Sequence, residues 1–132
     1  MARRPAISKG EMEVARVLWQ LGEATVRRVH EAILLQRPLD FNTVQTYLRR
    51  LEAKGYVRSR LSGRACVYTA KVKPATVIRE TVDDLVDRVF GGEALPLMRH
   101  LVENRDIRPE EVAQLREWLD RLEEKRDESR GT

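Results

Sequence analysis

Between Leu39 and Gly55 the apolar residues recur at helical spacing. Val44, Tyr47, Leu48 and Leu51 fall at i, i+3, i+4 and i+7, one face of a 3.6-residue period. Asn42, Thr46, Arg49 and Ala53 point the other way, flanked by Thr43, Gln45 and Arg50. The pattern predicts a helix with Asp40 as N-cap and Leu39 and Val44 as a hydrophobic staple. Gly55 is its stop, with Lys54 in the last turn. Two helices are expected before it. Ser8-x-x-Glu11 is a capping box opening the first, with Met12, Ala15, Leu18 and Trp19 facing inward and Gly22 ending it. Trp19 reads as a core anchor rather than a ligand-stacking residue. Thr25 caps the second, with Val26, Val29, Ala32 and Ile33 inward, and Gln36-Arg37-Pro38 breaks the chain before the third.

After Gly55 the period drops to two. Tyr56 to Leu61 alternates, with Val57 and Leu61 on one face and Arg58 and Arg60 on the other. Ser62-Gly63 is the expected turn, and Arg64 to Ala70 is a return strand rich in strand formers. Cys66, in mid-strand, reads as a small half-buried hydrophobe rather than a reactive thiol. Three helices followed by a hairpin, the third helix with a polar outer face, is the winged helix-turn-helix plan.

Past the linker Lys71-Val72-Lys73-Pro74 the chain is helical again. Ile78, Val82, Leu85 and Val89 form a heptad-like stripe, closed by Gly91-Gly92. Leu95, Met98, Leu101 and Val102 mark a short apolar helix. Pro109 suits the first position of a last helix, with Val112, Leu115, Leu119 and Leu122 repeating along it. Residues 125–132 are expected to fray. The fold class is therefore mainly α with a small β-hairpin. It comprises an N-terminal winged helix-turn-helix domain over residues 1–73 and a C-terminal three-helix dimerisation domain over residues 74–132. Fewer than 60 residues with no metal or disulfide rarely make a stable core alone. Association of two copies through Ile78, Val82, Leu85, Val89, Leu115, Leu119 and Leu122 is the economical solution. It gives a homodimer reading a site of approximate dyad symmetry.

Charge sharpens this division. Residues 1–73 carry 15 Lys+Arg against 6 Asp+Glu, a net of +9, and residues 74–132 carry 10 against 15, a net of −5. A basic half joined to an acidic one suggests that only the first meets a polyanion. Amides and guanidinium groups on the third helix suit base edges in a major groove, so Asn42, Thr43, Gln45, Thr46 and Arg49 are the candidate base readers. Arg27 and Arg28 sit in the first turn of the second helix, where cations oppose the helix dipole; a nearby phosphate accounts for them, as does a casual surface location. With Arg50, Arg60 and Arg64 they are the candidate phosphate contacts, with Arg3, Arg4 and Lys9 behind them. The expected partner is a double-stranded DNA operator. The alternative is a winged-helix protein-interaction module without sequence-specific DNA binding.

Other chemistry finds little support. With one cysteine there is no intramolecular disulfide, which fits a reducing compartment. No apolar run approaches the roughly 20 residues of a membrane helix, and the N-terminus has no apolar signal core, so a cytoplasmic location without membrane insertion is expected. His30 and His100 lie in different halves, each without a convergent ligand set; Asp83, Asp84 and Asp87 read as a solvated helix face. No metal, no cofactor and no enzyme activity are expected.

The chain resembles the BlaI/MecI-type penicillinase-repressor family of bacterial winged-helix repressors. The resemblance is carried by Ile7-Ser8-x-x-Glu11-x-Glu13-Val14-x-x-Val17-Leu18-Trp19, Thr25-Val26-x-x-Val29 and Gly63-Arg64-x-x-Val67-Tyr68. Its most specific part is Asn42-Thr43-Val44-Gln45-Thr46-x-Leu48-x-Arg50-Leu51-x-x-Lys54-Gly55. It implies a homodimer occupying operators with inverted half-sites and regulating resistance or stress genes. In β-lactam-responsive members, a membrane sensor protease system triggers cleavage of an Asn-Phe bond in the dimerisation domain. The matching position here is His100-Leu101, a departure from that pattern. The paired Cys-x-Cys motifs of copper-responsive relatives are absent from this sequence.

Overall fold

The computed structural model describes residues 4–131; the candidate phosphate contact Arg3 lies outside them. Helix α1 (Lys9–Leu21) starts from the expected capping box. Ser8 Oγ accepts from Glu11 N at 3.2 Å and Glu11 Oε1 accepts from Ser8 N at 2.9 Å. Strand β1 (Glu23–Thr25) leads into α2 (Val26–Leu34), where Thr25 Oγ1 accepts from Arg28 N. Helix α3 (Phe41–Ala53) is capped by Asp40, whose carboxylate accepts from Asn42 N. Gly55, at φ +88°, turns the chain in a conformation that would strain other residues. Strands β2 (Val57–Ser62) and β3 (Ala65–Ala70) follow, then α4 (Pro74–Val89), α5 (Ala94–Asn104) and α6 (Pro109–Arg130).

The chain divides into two compact units, residues 1–85 and residues 86–132. In the first, α1, α2 and α3 converge on a core in which Leu18, Val29, Ile33, Val44, Leu48 and Leu51 are fully buried. Burying a side chain of this size contributes about 1.5–3 kcal/mol. Val77, on α4, is buried in the same core. Helices α1 and α3 approach so closely that a Cβ on Gly10 would lie 2.5 Å from the Tyr47 ring. Only glycine fits there without displacing that ring.

The sheet has the order β1-β3-β2, with Ala24 opposite Tyr68, Ser59 opposite Tyr68 and Arg60 opposite Val67. The expected hairpin is thus the larger part of a three-stranded antiparallel sheet. Strand β1 escapes a sequence reading because three residues are too few to show a period of two. The turn is Gly63-Arg64 rather than Ser62-Gly63: Ser62 pairs with Ala65, and Gly63 takes φ +64°. Leu61 shares the face of Val57, as the alternation requires, but is 79% exposed, like its neighbours from Arg60 to Ala65 around the turn.

In the second unit Gly91 and Gly92, both at positive φ, end α4, and Pro109 opens α6. No residue of α5 or α6 is buried. Helix α6 continues to Arg130, past the expected fraying point at residue 125. Glu124, Lys125, Arg126 and Glu128 there are good helix formers.

Candidate nucleic-acid interface

One side of α3 fixes the helix and leaves the other free. Val44, Leu48 and Leu51 are wholly buried and Tyr47 packs beside them, while Asn42, Thr46, Arg49 and Arg50 are exposed and Thr43 and Gln45 half-exposed. The buried stripe therefore orients the outer one. The N-terminal end is anchored a second way: His30 Nε2 donates to Leu39 O at 2.7 Å, and the His30 ring meets Phe41 edge-on at 5.6 Å. Thr46 Oγ1 donates to Asn42 O at 2.8 Å, so its hydroxyl hydrogen is already used within the helix.

The far end is held by a buried charge. Glu11 is 1% exposed, and its Oε1 accepts from Lys54 Nζ at 2.6 Å as well as from Ser8 N. Lys54 Nζ also donates to Ala6 O at 2.8 Å. Burial alone pushes the Glu11 carboxyl upward, but the hydrogen bonds from Lys54 and Ser8 and the Lys54 charge outweigh it and hold it below the usual carboxylate range. Tyr56 Oη donates to Pro5 O at 2.7 Å and Arg4 pairs with Glu80 at 2.7 Å. The N-terminal arm is thus strapped to the front unit, and Arg4, a weaker candidate for phosphate, has a carboxylate partner.

Glu52 is the one carboxylate toward the outer side of α3, and it is turned onto β2. Its Oε2 accepts from Ser59 N at 3.0 Å and from Ser59 Oγ at 2.6 Å. That satisfies backbone on an edge strand and braces the hairpin against α3. The candidate cations differ in their partners. Arg27 lies 3.4 Å from Glu31 and Arg60 lies 3.1 Å from Glu23. Arg28, Arg49, Arg50 and Arg64 are exposed and form no ion pair among the described residues. Sequence reading missed the Glu11–Lys54, Glu52–Ser59 and Glu23–Arg60 contacts. Each spans more than one element, and only the isolation of Glu52 on a polar face hinted at its use.

Leu115, Leu119 and Leu122 are exposed on α6, and Ile78, Val82, Leu85 and Val89 are exposed along α4, the first three of them within residues 1–85. His100 and Leu101 lie within α5, where Asn104 Nδ2 donates to His100 O at 3.0 Å. No group of His, Cys, Asp and Glu among the described residues is arranged to hold a metal ion.

A helix-turn-helix closed by a basic hairpin defines a winged-helix protein. The chain belongs to the penicillinase repressor family, whose model matches residues 7–121. It is 26% identical over 115 residues to the methicillin resistance regulatory protein MecI of Mammaliicoccus sciuri, covering 87% of this chain and 94% of that one. It is also 26% identical over 128 residues to the penicillinase repressor of Bacillus licheniformis, covering 97% of this chain and 100% of that one. Among solved structures, the DNA binding domain of the repressor BlaI matches with 31% identity and a TM-score of 0.51, over 57% of this chain and 92% of that one.

Proposed function

We propose that this protein is a homodimeric, sequence-specific DNA-binding repressor without catalytic activity, acting in the cytoplasm. Residues 1–73 grip the operator and residues 74–132 join two copies. The observation that carries the reading is the outer face of α3: amides, hydroxyls and guanidinium groups on a helix immobilised by its buried side, with Glu52, the one carboxylate within the helix, occupied by Ser59 and the Asp40 carboxylate before it occupied by Asn42 N. Asn42, Thr43, Gln45, Thr46 and Arg49 read base edges, where Asn and Gln suit adenine and Arg suits guanine. Arg27, Arg28, Arg50, Arg60 and Arg64 meet phosphates and set the register. The open apolar faces of α4 and α6 supply the dimer contact, giving inverted half-sites about one helical turn apart or a multiple of that. Membership of the family supports control of resistance or stress genes. A protease acting at His100-Leu101 has to unwind a turn of α5 and accept a His-Leu bond, so a sensor-driven cut at this point would need a specificity of its own.

The test is selection of bound sequences from a random DNA pool, followed by a gel shift with the enriched site and with DNA upstream of the protein's own gene. A palindromic site retained at physiological salt is the expected result. Failure to enrich any sequence, with binding to an acidic protein instead, would support the interaction-module reading.

A further inference from the structure

We infer that Glu23, on β1, is an internal competitor for DNA: it occupies the Arg60 guanidinium in the free protein and cancels that residue's share of the salt-dependent binding. The inference rests on the DNA-binding reading above. Arg60 Nη2 lies 3.2 and 3.1 Å from the two carboxylate oxygens of Glu23. The register explains the meeting. Glu23 and Arg58 both lie opposite Thr69 on the central strand, and Arg60 is two residues along from Arg58, so all three project from the outer face of the sheet. Both side chains of the pair are more than half exposed, and pairs of that kind add little to stability. The fold has no need of this one.

Its consequence appears when a phosphate arrives. A free arginine that neutralises a phosphate releases the cation condensed there, and each such event steepens the fall of affinity with salt by about 0.9 in the logarithmic slope. Arg64, in the adjoining turn, has no carboxylate partner among the described residues and behaves this way. Arg60 must first leave Glu23. The carboxylate then recovers a cation from solution, which offsets the one the phosphate released. The two wing arginines therefore carry the same charge and opposite signatures: Arg64 contributes to the salt slope and Arg60 does not. Because phosphates carry no sequence information, Glu23 lowers affinity for operator and random DNA alike.

The full-length protein, Glu23→Gln, Arg60→Gln and the double variant, each checked for native circular dichroism, are titrated with operator and random duplexes between 50 and 200 mM salt. Glu23→Gln is expected to steepen the slope by about one and raise affinity for both duplexes by about threefold at low salt, the scale of an exposed pair. Arg60→Gln leaves the slope unchanged, and the double variant matches Arg60→Gln. An unchanged slope in Glu23→Gln overturns the inference, as does a slope flattened by about one in Arg60→Gln or a gain in the double variant as large as in Glu23→Gln. Wild-type protein that binds neither duplex overturns the DNA-binding reading itself, and this inference with it.

Discussion

The two units use the same kinds of residue to opposite effect. In residues 1–85, leucines and valines from three helices, a sheet and the first turns of α4 converge until many have no contact with water. In residues 86–132, Leu95, Met98, Leu119 and Trp118 lie on helices of comparable regularity, yet Trp118 remains 54% exposed and no residue of α5 or α6 is buried. Helical periodicity thus marks which residues seek cover without saying whether the same chain provides it. The front unit buries a core of its own but leaves Ile78, Val82 and Leu85 of α4 exposed. The rear one presents a surface too apolar for a free-standing piece, and the homodimer is the proposal that covers it.

The sharpest way to break this contrast is to separate the halves. Residues 1–85 alone are expected to melt cooperatively as a monomer, and residues 86–132 alone to lose helix on dilution, both followed by circular dichroism and sedimentation. In the full chain, Leu115→Asp with Leu119→Asp is expected to give monomers and to weaken operator binding about 100-fold or more, the scale of losing bivalent attachment. A double variant that stayed dimeric would move the interface elsewhere.

Lys54→Met tests the front unit from inside. It strands the buried Glu11 carboxylate and is expected to cost about 3 kcal/mol in denaturant unfolding. Adding Glu11→Gln should recover part of the loss by removing the stranded charge. The same pair fixes a pH dependence. Glu11 titrates below its ordinary 4.5 in the folded protein, so the folded state favours the charged form. Its stabilisation is complete above that value and fades as pH falls through the lowered one. Glu11→Gln is expected to flatten the acid limb of the stability profile, followed by denaturant unfolding across pH.

Smaller effects separate base reading from charge. Gln45→Ala should cost about 2 kcal/mol on the operator and little on random DNA; equal losses on both would remove Gln45 from the readers. Thr46→Val should cost less than Thr46→Ala, because the hydroxyl lost in valine is already committed to Asn42 O. Arg64→Ala should weaken all duplexes and flatten the salt slope by about one, and an unchanged slope would exclude a phosphate contact.

Much of the fold is legible along the chain because its signals are local. The boundaries of α3 follow from Asp40, four apolar positions and Gly55, all within 16 residues. The capping box of α1 and the stop at Gly91-Gly92 are read in the same way. What escapes is non-local or very short. Strand β1 is three residues long and is defined only by Thr69, Tyr68 and Val67 on a strand more than 40 positions away. The depth of Glu11 is invisible because glutamate at the third helical position is already explained by capping. Arg60 and Arg64 look equivalent in the sequence and differ only through Glu23. For the candidate site, residue types and outward facing were readable, whereas the neighbours that tie each charge down were not.

One carboxylate at position 11 closes the first turn of α1 and also fastens the end of α3. These positions are therefore not free to drift independently. A neutral residue at 11 leaves the Lys54 ammonium without its counter-charge, and an apolar residue at 54 abandons Glu11. Viable sequences would be expected to change the two together, so a library randomised at 11 and 54 and sorted for folding should return matched pairs rather than single replacements.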